Sequence, residues 1–140
     1  MIIMSVDLGN ARTGIAASDS TETFAFPQGV ITEYNNEKLV EKVAAKAKEL
    51  RAELIVVGLP KNMDGSLGWR AEECTETGKK IADKTGIEVV MWDERCTTVM
   101  AHGVLNMTDT RGKKRKQTVD AVAAVMILDS YLAYRKNQKA

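Results

Sequence analysis

A chain of 140 residues carrying a formal net charge of +1 supports one domain around one core, and its 44% hydrophobic and 28% charged residues exclude a disordered chain, leaving only 135–140 as an expected flexible tail. The longest apolar stretch, Ala121 to Leu128, is far short of the roughly 20 residues of a membrane span, and no basic region precedes the N-terminal apolar run. A cytoplasmic protein without membrane contact is expected.

In chain order, Ile2–Val6, Thr13–Ala17 and Ala25–Thr32 read as three strands punctuated by Gly9, Gly14, Pro27 and Gly29, with connections short enough for antiparallel neighbours. From Asn36 to Arg51 the period lengthens: Leu39, Val43, Ala47 and Leu50 recur at helical spacing, with Asn36 as N-cap. Leu54-Ile55-Val56-Val57, closing on Gly58-Leu59-Pro60, is a branched run suited to a strand buried on both faces. Ser66 to Lys84 reads as a helix stopped by Gly86, and Ile87–Trp92 as another buried strand. Thr97 or Thr98 can cap a helix through Leu105. The basic segment Arg111 to Lys116 then forms a loop, and Thr118–Tyr134 the final helix. The order βββαβαβαα is that of an α/β ribonuclease H-like fold: a five-stranded mixed sheet, a three-strand meander plus two parallel strands, with helices on both faces.

Three acids stand where an apolar side chain would be expected. Asp7 closes Ile2-Ile3-Met4-Ser5-Val6, Glu94 follows Val89 to Asp93, and Asp120 is the lone charge between Val119 and Leu128, on a stripe with Ala124, Ile127, Leu128 and Tyr131. Burying an isolated carboxylate costs several kcal/mol, roughly, unless cations or hydrogen bonds compensate it, so three converging acids imply a bound cation. Oxygen ligands suit Mg²⁺ or Mn²⁺, and a pair of such ions clamps the attacking and leaving oxygens of a phosphodiester. In a sheet of this order, Asp7 and Glu94 end strands on either side of the one closing at Gly58, about 10 Å apart at the backbone. Each acid also has a plain role: a turn cap for Asp7, an ion pair with Arg95 for Glu94, a helix-dipole contact for Asp120. Asp93 and Asp129 are candidates for a fourth carboxylate.

The motifs Asp7-Leu8-Gly9 with Arg12-Thr13-Gly14-Ile15-Ala16, Gly58-Leu59-Pro60 with Asn62-Met63-Asp64-Gly65-Ser66, Asp93-Glu94-Arg95 with Thr97-Thr98, and Val119-Asp120 with Ala123-Ala124 resemble the YqgF family, nearly end to end. That family is described as Holliday junction resolvases and, in later usage, as nucleases processing the 5′ end of precursor 16S ribosomal RNA. The resemblance implies a metal-dependent hydrolase of phosphodiester bonds, with Asp7, Glu94 and Asp120 as catalytic, metal-binding carboxylates. It implies precursor ribosomal RNA as substrate, with branched DNA as the alternative. Cys96 stands where the family usually shows a larger apolar residue.

The cations fit that reading. Arg111, Lys113, Lys114, Arg115 and Lys116 lead into the helix carrying Asp120, where a phosphate backbone must pass; Arg12, Lys61 and Arg95 lie in the other motifs. Aromatic content of 5% leaves few stacking platforms and favours backbone and shape recognition. Trp69 and Trp92 are read as packing residues and His102 as structural. Cys74 and Cys96 form no CxxC and are read as reduced thiols, and one histidine makes a zinc site of the usual spacing unavailable. Two rival classes stay open: a non-catalytic RNA-binding or ribosome-assembly module, and a relative of actin-like ATPases, whose first phosphate loop Asp7 to Gly14 also resembles. A symmetric junction resolvase would need a dimer, and the sequence leaves monomer or homodimer undecided.

Overall fold

The computed structural model describes residues 1–9, 12–59, 69–93 and 112–139. Strands β1 (Ile3–Leu8), β2 (Arg12–Ser18) and β3 (Ala25–Thr32) are followed by helix α1 (Asn36–Leu50), β4 (Leu54–Leu59), α2 (Trp69–Thr85), β5 (Glu88–Asp93) and α3 (Gly112–Lys139). The five strands form one sheet in the order β3-β2-β1-β4-β5. The meander β1-β2-β3 is antiparallel, and β1, β4 and β5 run parallel, as the sequence order required. The expected helix from Thr97 or Thr98 to Leu105 lies outside the described residues.

Period-two alternation assigns the strand residues to two cores. Met4, Val6, Ile15, Ile55 and Val57 join Val43 of α1 and Ile81 of α2 on one face, whereas Ile3, Ala16, Leu54 and Val56 join Ala124, Ile127, Leu128 and Tyr131 of α3 on the other. The continuous run of β4 is therefore a strand buried on both faces. At the edge, β3 tolerates Pro27, and a bulge opposite Ile15 and Ala16 is accommodated by Gly29 at φ 101°.

Two local expectations are corrected. The N-cap of α1 is Asn35, not Asn36: its extended backbone and side-chain oxygen, which accepts from the Lys38 N–H at 3.0 Å, leave Asn36 as the first helical residue. The basic segment is not a loop, because α3 begins at Gly112 and takes in Lys113, Lys114, Arg115 and Lys116. Lysine, arginine and glutamine are good helix formers, and nothing between Gly112 and Thr118 breaks the helix. α2 ends as expected at Gly86, whose φ of 72° only glycine adopts without cost and whose N–H reaches the Ala82 carbonyl at 2.8 Å.

Candidate metal and nucleic-acid site

Asp7 is the penultimate residue of β1, half-buried, at the end of the sheet where β1, β4 and β5 have their C-termini. Alternation from Ile3 puts Ser5 and Asp7 on the face covered by α3. Asp7 pairs with Gly14 on β2, and one step on from the Val6–Val57 pairing it is level with Gly58 on β4. Both strands flanking Asp7 thus carry glycine at the position level with it. In the sequence Gly14 reads only as punctuation; the pairing register gives it this place beside Asp7.

The mouth of the β1–β2 hairpin is just as tight. A Cβ on Gly9 would overlap the backbone carbonyl oxygen of Arg12, so the return of the chain after Asp7-Leu8 excludes any other residue at that position without rearrangement. Arg12 opens β2, half-buried, and pairs with Thr32 of β3, two residues beyond the level of Asp7.

Helix α3 is tied over this edge by a buried hydrogen bond: the Ser5 hydroxyl donates to the Ala124 carbonyl at 2.6 Å. Farther along the helix, Arg135 Nε donates to Glu22 at 2.6 Å, and Glu22 also accepts from the Met1 amino group at 3.3 Å. α3 therefore runs from the Asp7 end of β1 toward its Met1 end. From the Ser5–Ala124 bond, Asp7 lies two strand residues onward, about 6.6 Å, and Asp120 four helical residues back in the same direction, about 6 Å. The backbone of Asp120 belongs to α3, while its side chain is outside the described residues.

Asp93, the last residue of β5, pairs with Leu59, and Glu94 follows it outside the described residues, as do Lys61, Arg95 and Arg111. Among the described residues no three acidic, histidine or cysteine side chains cluster as a metal site, and of the three expected ligands only Asp7 has a described side chain. Asp129 is not a partner of Asp7. It faces a cavity of about 400 Å³ shared with Glu22, Thr23 and Lys136 at the opposite end of α3, where burial pushes its carboxyl above the ordinary range. Trp92 packs: its indole N–H donates to Ser130 at 3.1 Å, and its ring meets Tyr131 edge-on at 5.2 Å.

Residues 1–134 match the family model described as RuvX: Holliday junction resolvase. The chain belongs to the RuvX family. Membership agrees with the YqgF-type motifs. A protein of Clostridium botulinum (strain Eklund 17B / Type B) named "Putative pre-16S rRNA nuclease" is 41% identical over 132 residues, 94% of this chain and 96% of that protein. One of the same name from Thermoanaerobacter pseudethanolicus is 37% identical over 139 residues, covering 99% of this chain and 100% of the relative. Among solved structures, RuvC of T. thermophilus in complex with Holliday junction substrate superposes with a TM-score of 0.63 at 14% identity, covering 98% of this chain and 96% of that one. The fowlpox virus resolvase bound to Holliday junction DNA gives 0.59 at 14% identity, covering 96% and 99%. At such identities the likeness establishes the RuvX chain's fold, which is ribonuclease H-like.

Proposed function

We propose that this RuvX-family chain is a divalent-metal-dependent nuclease whose substrate is the 5′ region of precursor 16S ribosomal RNA. The observation that supports it best is the half-buried Asp7 between two glycines at the C-terminal edge of the parallel strands, with the Asp120 turn of α3 tied beside it through Ser5. Identity of 41% over 94% of the chain to a relative named for that RNA supports the substrate.

The donor set fits the metal. Asp7, Glu94 and Asp120 offer only carboxylate oxygens, which hard cations such as Mg²⁺ or Mn²⁺ prefer. When bound, a pair of such ions supplies an activated water and neutralises charge on the leaving oxygen. The chain's own carboxylates would hold those ions, Asp7 from β1, Glu94 beyond β5 and Asp120 from the first half of α3, and through them the reacting phosphate would be oriented. Lys113, Lys114, Arg115 and Lys116 occupy the N-terminal turns of α3, whose first turn carries no acidic residue and where the helix dipole is already positive. That concentration of positive charge suits a phosphate backbone, joined by Arg12, Lys61, Arg95 and Arg111 from neighbouring segments.

A four-way DNA junction is the second reading, favoured by the family's description and by the shared fold with junction resolvases. Incubating the protein with a labelled precursor RNA fragment and a four-way junction, each in Mg²⁺, Mn²⁺ and EDTA, separates the two. Metal-dependent RNA cleavage supports the processing nuclease and junction-only cleavage the second reading. Retained binding with no cleavage of either would overturn both in favour of a non-catalytic RNA-binding module.

A further inference from the structure

Tyr34 is 84% exposed, more than Phe24, Phe26, Tyr134 or Met1. Its position makes that exposure unusual. It immediately precedes the Asn35 N-cap of α1, where an apolar residue ordinarily folds back against the fourth helical residue to fix the helix entry. The fourth residue here is Leu39, which is buried, while the Tyr34 ring stays exposed. Between them lies a cavity of about 60 Å³, also lined by Leu8, Gly9 and Cys74. Among the described residues no ring lies against Tyr34, whereas Phe24 and Phe26 lie against each other at 6.4 Å and Tyr134 lies against Trp92 at 5.2 Å.

The ring also stands at the functional end of the sheet. Thr32, two residues earlier, pairs with Arg12, and Leu8 and Gly9 directly follow Asp7 in the chain. Phe24 and Phe26 belong to the opposite end, since Phe26 pairs with Ala17 on the far side of the bulge. Glu33 beside the ring would repel a phosphate, but Lys42 at 2.9 Å and the Asn35 N–H at 3.1 Å satisfy it and hold its carboxyl below the ordinary range.

We infer that Tyr34 is a stacking platform for an unpaired nucleobase of the substrate, on the strand that crosses the sheet edge from Asp7 past Arg12. Two strand spacings separate β1 from β3, about 10 Å, which a few nucleotides of single strand cover. The cavity beside Leu39 admits the edge of the base while the ring takes its face. The inference rests on the nuclease reading and adds a requirement to it: single-stranded RNA next to the cleavage position.

The test is fluorescence anisotropy with two labelled RNAs, a hairpin carrying a single-stranded 5′ extension and the same hairpin with a blunt end, against wild type, Tyr34→Ala and Tyr34→Phe. Tyr34→Ala should bind the extended RNA about five- to a hundredfold more weakly, with the salt dependence unchanged because no phosphate contact is lost. Blunt RNA should bind both proteins alike, and Tyr34→Phe should match wild type. The ring is 84% exposed and little of it packs, so an unchanged melting temperature shows that the variant is folded. Equal binding of the extended RNA by wild type and Tyr34→Ala, equal losses on both RNAs, or no binding of the extended RNA by wild type would overturn the platform. Mg²⁺-dependent cleavage by wild type, measured in parallel, reports on the nuclease reading separately.

Discussion

The Ser5 hydroxyl meets the Ala124 carbonyl at 2.6 Å in a buried contact between the middle of β1 and the middle of α3. It is the point from which both Asp7 and Asp120 are measured out. The Ala124 carbonyl keeps its bond within the helix without Ser5, so Ser5→Ala should cost only about 0.5–1.5 kcal/mol in urea unfolding. Cleavage should fall further, about ten- to a hundredfold, because a small slide of α3 misplaces Asp120. A stability loss with undiminished cleavage would mean that the bond fixes the fold alone.

Gly9→Ala places a methyl group on the Arg12 carbonyl. Backbone cannot move aside as a flexible side chain can, so the hairpin must shift at a cost of about 1–3 kcal/mol. Thermal unfolding reads the loss. A variant as stable as wild type would show that the hairpin mouth is looser than this contact implies.

The β2–β3 turn is held by Asp19, whose carboxylate accepts from the Thr21 hydroxyl, from the Thr23 N–H at 2.8 Å and from the Phe24 N–H at 3.1 Å. These bonds, the Thr21 one foremost, lower its pKa from the usual 3.8. Its stabilising contribution is therefore complete above that value and disappears as pH falls through the lowered one. Asp19→Ala should lower the melting temperature at pH 7, and the gap to wild type should narrow in strong acid. A gap independent of pH would assign the effect to something other than the charge.

Asp129 has the opposite sign. Burial raises its pKa above 3.8, so its ionisation works against the fold and wild type loses stability as pH rises through that window. Asp129→Asn should be slightly more stable than wild type at pH 7, within about 0.5 kcal/mol because the residue is largely exposed, and no more stable at pH 3. Destabilisation at pH 7 would reveal a partner for the carboxylate.

Much of this architecture was written in apolar runs and their periods. The runs at Ile3, Leu54 and Val89 gave the three parallel strands, and the stripe Ala124, Ile127, Leu128 and Tyr131 proved to be the buried face of α3. Adjacent Asn35 and Asn36 can each cap a helix, and only backbone conformation decides between them. A run of like charges reads as a solvated loop, but lysine, arginine and glutamine are good helix formers, and Gly112 to Lys116 belong to α3. Gly14 beside Asp7 and Ser5 beneath Ala124 come from pairing register and helix placement, which no local pattern encodes. The place of Asp7 near the end of β1 was legible because a charge ending an apolar run is costly; Glu94 and the Asp120 side chain lie outside the described residues.

The central claim is that Asp7, Glu94 and Asp120 jointly hold the catalytic ions, and single-turnover cleavage of a precursor 16S fragment across a range of Mg²⁺ concentrations tests it directly. Loss of groups that merely support metal ligands costs about 10–100-fold, so Asp7→Asn, Glu94→Gln and Asp120→Asn should each lose more than that at every Mg²⁺ concentration while still binding the RNA. A variant that cleaves at the wild-type rate in saturating Mg²⁺ would remove its residue from the metal site and contradict the account.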